Sequence, residues 1–137
     1  TLDGVINTAA VRDEGTTIHY TPMEYPAVAD RHVVDALAVA AKNLGYHYAE
    51  GITQSKDSFY GQHEPENMPA ESRLKERWEA WRRGNVMTSE MEAAALFVIS
   101  SIRGCRAASI MSFVDMKKTI EVARDALKIL IKQDAAK

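Results

Sequence analysis

The chain has 137 residues, 46% hydrophobic and 26% charged, the balance of an ordinary soluble globular domain with a single core. A formal net charge of -2 gives no basic field to draw in a nucleic-acid backbone or an anionic membrane, and no apolar run reaches the roughly 18–20 residues of a membrane span. The single cysteine, Cys105, excludes an internal disulfide and a cysteine-rich metal site, so a reducing cytoplasm is the expected compartment.

The first element is a strand over residues 5–12, Val-Ile-Asn-Thr-Ala-Ala-Val-Arg. It follows Thr1 almost at once, with no initiator Met, turn or partner strand before it. A strand buried on both faces needs neighbours, so the sequence is expected to begin in mid-domain. Residues 13–28 read as a polar loop with Gly15, Pro22 and Pro26. Asp30 caps a predicted helix from Arg31 to Leu44, with Val33, Leu37, Ala41 and Leu44 on one face and Gly45 as its stop. A strand over 47–54 and a loop over 59–69, carrying Gly61, Pro65 and Pro69, come next.

Glu71–Arg83 returns to helical spacing, with Leu74, Trp78 and Trp81 recurring and Gly84 as the stop. Val86–Thr88 is a short extended piece. Glu90–Arg103 predicts a buried helix started by Ser89 and ended by Gly104, and 105–114 a buried strand in which Cys105 is an inert small hydrophobe. Asp115 caps a last amphipathic helix with Met116, Ile120, Ala123, Leu127 and Ile131 facing inward. That cap follows the strand with no loop between them, which implies a tight turn or, preferably, a segment outside this sequence. Strands alternating with helices predict an α/β fold with a mixed central sheet flanked by helices, and no linker divides residues 1–137 into domains.

Two stretches could carry chemistry. Lys56-Asp57-Ser58-Phe59-Tyr60-Gly61-Gln62-His63-Glu64-Pro65 offers an aromatic plate, a glycine and a primary amide at a strand end. A side-chain amide matches the carbonyl–NH edge of a pyrimidine while Phe59 packs on the ring face; a surface turn with a half-buried aromatic explains the same residues. Ser89-Glu90-Met91-Glu92 opens a hydrophobic helix. Acids there meet the helix dipole, and a carboxylate at such an edge can also accept from the vicinal hydroxyls of a sugar. His19, His32, His47 and His63 lack ligand spacing, so no metal is expected. Trp78 and Trp81 read as core or subunit contacts.

In order along the chain, Thr8–Thr16, Tyr25–Asp30, Asp57–His63 and Ser89–Glu92 resemble segments of the nucleoside phosphorylase family, and most of all its bacterial uridine phosphorylases. The resemblance implies that family's three-layer fold without its N-terminal half, and phosphorolysis of uridine to uracil and ribose 1-phosphate in pyrimidine salvage. It implies no cofactor, only inorganic phosphate as co-substrate, in a homo-oligomeric assembly (dimer or hexamer). By position, Phe59 packs on uracil, Gln62 reads its N3 and carbonyl edge, Met91 lies beneath the ribose, and Glu92, the catalytic acid group, accepts from its 2′- and 3′-hydroxyls with Glu90 supporting the turn. Where many relatives hold a uracil carbonyl with an Arg two residues after the Gln, this sequence has Glu64, leaving Lys56 or His63 to supply that donor. A purine nucleoside phosphorylase or nucleosidase of the same fold, and a non-catalytic nucleoside-binding fragment, are the alternatives.

Overall fold

The computed structural model describes residues 1–113 and 115–137. Its strands are β1 (Gly4–Asp13), β2 (Ala27–Val28), β3 (Tyr48–Lys56), β4 (Val86–Glu90) and β5 (Ser109–Ser112). Its helices are α1 (Arg31–Asn43), α2 (Phe59–His63), α3 (Glu71–Arg83), α4 (Ala93–Ile102) and α5 (Met116–Ala135). The five strands form one mixed sheet. β1 and β3 run parallel, as do β3 and β4, while β2 and β5 pair antiparallel with β1. β5 takes Gly4–Asn7 and β2 takes Ala9–Ala10, so the two short strands share one edge of β1. Gly4 is required there, because a Cβ would fall 1.9 Å from the Met111 carbonyl oxygen.

Local signals in the sequence account for most element ends. Asp30 accepts from the Val33 amide at 3.1 Å and starts α1, which ends before Gly45 at φ +72°. After α3 the left-handed position belongs to Asn85, at φ +62°, and not to the expected Gly84; the asparagine side chain tolerates that conformation. The predicted loop over 59–69 contains α2, which Ser58 caps by accepting from the Gly61 amide, and a 3₁₀ turn over Pro65–Asn67.

The core joins Ile6 and Ala10 of β1 to Val34, Leu37 and Ala41 of α1, Phe97 and Val98 of α4, and Val122, Ala126 and Leu130 of α5. Three expectations change here. α4 begins at Ala93, because Glu90 completes β4 and its carboxylate, not the Ser89 hydroxyl, accepts from the Glu92 and Ala93 amides, each at 2.6 Å. The strand expected over 105–114 shrinks to Ser109–Ser112, Cys105 lies exposed in the loop before it, and the Val114 part of that reading falls outside the described residues.

The third change concerns α5. Thr119, Val122, Ala126 and Leu130 face the core, whereas Met116, Ile120, Leu127 and Ile131 are 60–67% exposed. At 100° per residue the two stripes lie about 100° apart, so the apolar arc is too wide for periodicity to select one face. Small Ala126 and β-branched Val122 let α5 approach α1 closely, and that close packing decides which stripe turns inward.

Candidate active site

The three parallel strands end together. Asp13 at the end of β1 pairs with Lys56 at the end of β3, and Ser55 pairs with Glu90 at the end of β4. The carboxyl ends of parallel strands are where α/β sheets hold ligands. A cavity of 580 Å³ opens there, walled by residues 12–15, Gln54, Lys56, Gly61 and Gln62, with Arg73, Arg77 and Trp78 of α3 as its far side.

The end of β3 is polar and buried, with Gln54 and Lys56 on the cavity wall and Thr53 and Ser55 turned to the opposite face of the strand. Thr53, Gln54, Ser55 and Lys56 are all shielded from solvent, and each finds a partner among the neighbouring side chains. The Ser89 hydroxyl is the hub: Lys56 Nζ donates to it at 2.8 Å, and the Oε1 atoms of Gln54 and Gln62 lie 3.0 and 2.9 Å away. Burial pushes the Lys56 ammonium below its ordinary pKa, opposed by the charges of Glu90 and Glu92. Ser55 donates to Glu90 Oε1 at 2.6 Å and accepts from the Ala94 amide at 2.8 Å, which fastens the head of α4 to β3.

Two further groups shape the rim. Arg12 is buried, and its guanidinium donates to Thr17 Oγ1 and to the carbonyls of Thr21, Pro22 and Tyr25. It thereby organises the stretch expected to be plain loop, which contains a 3₁₀ turn over Thr17–His19. Asp13 accepts from Gln54, Trp81 and Arg77 and ties α3 to the sheet. Trp81 is therefore a hydrogen-bonded strut, and Trp78 a wall of the cavity.

The structure brings Lys56 and Gln62 to the cavity wall and Glu90 one residue beyond the Ser89 hub. Glu90 is half-buried and turned into the network, while Glu92 and Met91 are exposed at the start of α4, the Glu92 carboxylate accepting from the Met91 amide. Phe59 is 52% exposed, with the His63 ring lying over it at 4.2 Å between centroids. Neither ring lines the cavity. Sequence reasoning passed over Arg12, Asp13, Gln54 and the central role of Ser89. The available signal was the unbroken polar run Thr53–Lys56 at the end of a strand bounded by parallel neighbours, where apolar residues are the rule.

No group of three or more His, Cys, Asp or Glu among the described residues is placed to hold a metal ion, and no helix among them is long and apolar enough to cross a membrane.

Residues 2–135 match the family model of the phosphorylase superfamily. The chain belongs to that superfamily. It is 41% identical over 147 residues to a uridine phosphorylase of Treponema pallidum, covering 96% of this chain and 57% of that protein. Against a uridine phosphorylase of Thermococcus kodakarensis the identity is 40% over 148 residues, covering 98% of this chain and 53% of that protein. A guanosine phosphorylase of Halorubrum lacusprofundi is 32% identical over 79% of this chain and 40% of its own length. The chain thus spans about half the length of the curated relatives it matches. The mixed sheet flanked by helices is the architecture the superfamily resemblance implied.

Proposed function

We propose that the protein carrying this chain is a pentosyltransferase that cleaves uridine with inorganic phosphate, giving uracil and ribose 1-phosphate. The observation that carries this reading is the Ser89 hydroxyl. It places the Gln62 amide 2.9 Å away, on the cavity wall, and leads along the backbone directly into Glu90-Met91-Glu92. One hydroxyl thereby ties the amide of α2 to the turn between β4 and α4 that carries the acid. The two uridine phosphorylases at 40–41% identity support the same substrate class.

In this reading Gln62 pairs with the N3 and carbonyl edge of uracil. The exposed Glu92 accepts from the ribose 2′- and 3′-hydroxyls, and Met91 packs beneath the sugar. Glu90, held by Ser55, Thr53 and two backbone amides, keeps that turn rigid. Phe59 supports the uracil ring, on the face left open by His63. Lys56, which shares the cavity wall with Gln62 while His63 does not, is the better donor to a base carbonyl. Bond cleavage develops positive charge at the ribosyl carbon, as in glycoside hydrolysis. A carboxylate near the sugar and a cation near the departing base oppose the two charges that form. No group beyond phosphate is required.

We place the reaction in pyrimidine salvage, in the cytoplasm, in a homo-oligomer that is a dimer or a hexamer. The deciding experiment is phosphate-dependent release of uracil from uridine by the full-length protein. Release of base from inosine or guanosine with none from uridine would transfer the reading to the purine branch, and binding without turnover would reduce it to a nucleoside-binding module.

A further inference from the structure

The hydrogen bonds around Ser89 do not balance as they stand. Asp13 receives three N–H donors, from Gln54, Trp81 and Arg77. The Gln54 amide is therefore oriented with Nε2 toward Asp13, 2.6 Å away, and Oε1 toward Ser89. Lys56 Nζ can only donate, so the Ser89 oxygen accepts from it. One hydroxyl proton then faces two carbonyl oxygens, those of Gln54 and Gln62, at 3.0 and 2.9 Å. Gln54, only 5% exposed, has the stronger claim on that proton, and the Gln62 carbonyl is then left facing the lone pairs of the Ser89 oxygen.

Turning the Gln62 amide end for end removes the conflict without altering its shape. Ser89 gives its proton to Gln54, and its oxygen accepts from both Lys56 and Gln62 Nε2. The Gln62 Oε1 is then released toward the cavity as an acceptor.

We propose that Ser89, backed by the Gln54–Asp13 pair, is a positioning residue that fixes the direction of the Gln62 amide and so selects bases carrying an N–H at the pyrimidine 3-position. An imide base such as uracil donates from N3 to the outward carbonyl. A 4-amino pyrimidine such as cytosine presents a lone pair at N3 and meets the same oxygen with repulsion. Where a site's polar group must pair with a specific partner, a mismatched base is rejected by more than packing could achieve. This inference rests on the base-reading role of Gln62 given above and adds the device that gives that role its sign.

The test compares kcat/KM for uridine and cytidine in the full-length protein. Ser89→Ala frees the amide to turn and lowers the uridine-to-cytidine ratio by about tenfold, the scale of one hydrogen bond. The loss falls mainly on KM for uridine, and Ser89→Thr, which keeps the hydroxyl, restores the ratio. Gln54→Met, which leaves Ser89 in place but takes away the acceptor for its proton, lowers the ratio too; this variant decides the matter if Ser89→Ala fails to fold. An unchanged ratio in both variants, alongside a collapsed ratio in Gln62→Leu, overturns the positioning role while leaving Gln62 as the base reader. Unchanged uridine turnover in Gln62→Leu removes the underlying reading and the proposal together.

Discussion

Two stretches of this molecule invert the usual distribution of polarity. Thr53–Lys56 at the end of β3 is polar and buried, whereas Met116, Ile120, Leu127 and Ile131 along α5 are apolar and exposed. The first is stable because every side chain in it has a hydrogen-bond partner within a few ångströms, which offsets the desolvation of Thr53, Gln54 and Ser55 and part of that of Lys56. The second is tolerated because a helix needs only one stripe to dock, and Val122, Ala126 and Leu130 supply it. Buried polarity therefore needs a closed set of partners, whereas a single docked stripe is enough to hold α5 against the core of this chain.

The comparison can be broken most sharply at the chemistry. Glu92→Ala in the full-length protein lowers kcat/KM for uridine by about 10²- to 10³-fold, the scale of removing a group that meets the transition state, with thermal stability little changed because the side chain is exposed. Retention of full turnover would dissociate the acid at the start of α4 from sugar binding. On α5 the two stripes make opposite predictions. Leu130→Ala, at a site 7% exposed, costs about 2–5 kcal/mol in denaturant unfolding, while Leu127→Ala, at 60% exposed, stays within about 0.5 kcal/mol. Equal losses would mean that the outward stripe is also packed.

Within the buried polar run of β3, Ser55→Ala strands the Ala94 amide and removes a donor from Glu90, costing about 1–3 kcal/mol in the same measurement. The smallest effect is electrostatic. Because burial holds the Lys56 pKa below its unfolded value, the unfolded chain binds more protons between the two values, and stability contributed by this site rises as pH climbs through that alkaline window. Melting temperatures of the parent and Lys56→Met, compared across the window, should converge as pH rises. Parallel curves would show that burial does not disfavour this ammonium.

Much of the fold was legible because its signals are local. Asp30 and Asp115 cap helices through their own side chains, as their positions predict, and Glu71–Arg83 is a helix with the boundaries its spacing predicts. Boundaries failed where a tertiary partner intervened. α4 starts three residues after the expected Glu90 because that carboxylate is drawn into β4 by Ser55 of the neighbouring strand. The site divides the same way. Lys56 and Gln62 could be singled out because they sit in a motif at a strand end, but Asp13 and Gln54 could not. Their chemistry arises only when β1, β3 and α3, separated by some forty to seventy positions, are laid side by side.

By itself the sequence determined the alternation of strands and helices, the caps, the absence of a charge field for nucleic acid, and the ordered motifs of a nucleoside phosphorylase relative. Those properties depend on neighbours three or four residues away or on composition, which a linear reading can see. Only the tertiary structure decided which stripe of α5 is buried, that Glu90 rather than Ser89 holds the head of α4, and that a serine hydroxyl joins a lysine and two glutamines. Each of these depends on a donor or a packing surface supplied by a distant strand or helix, and the pairing is settled by geometry that no local spacing encodes.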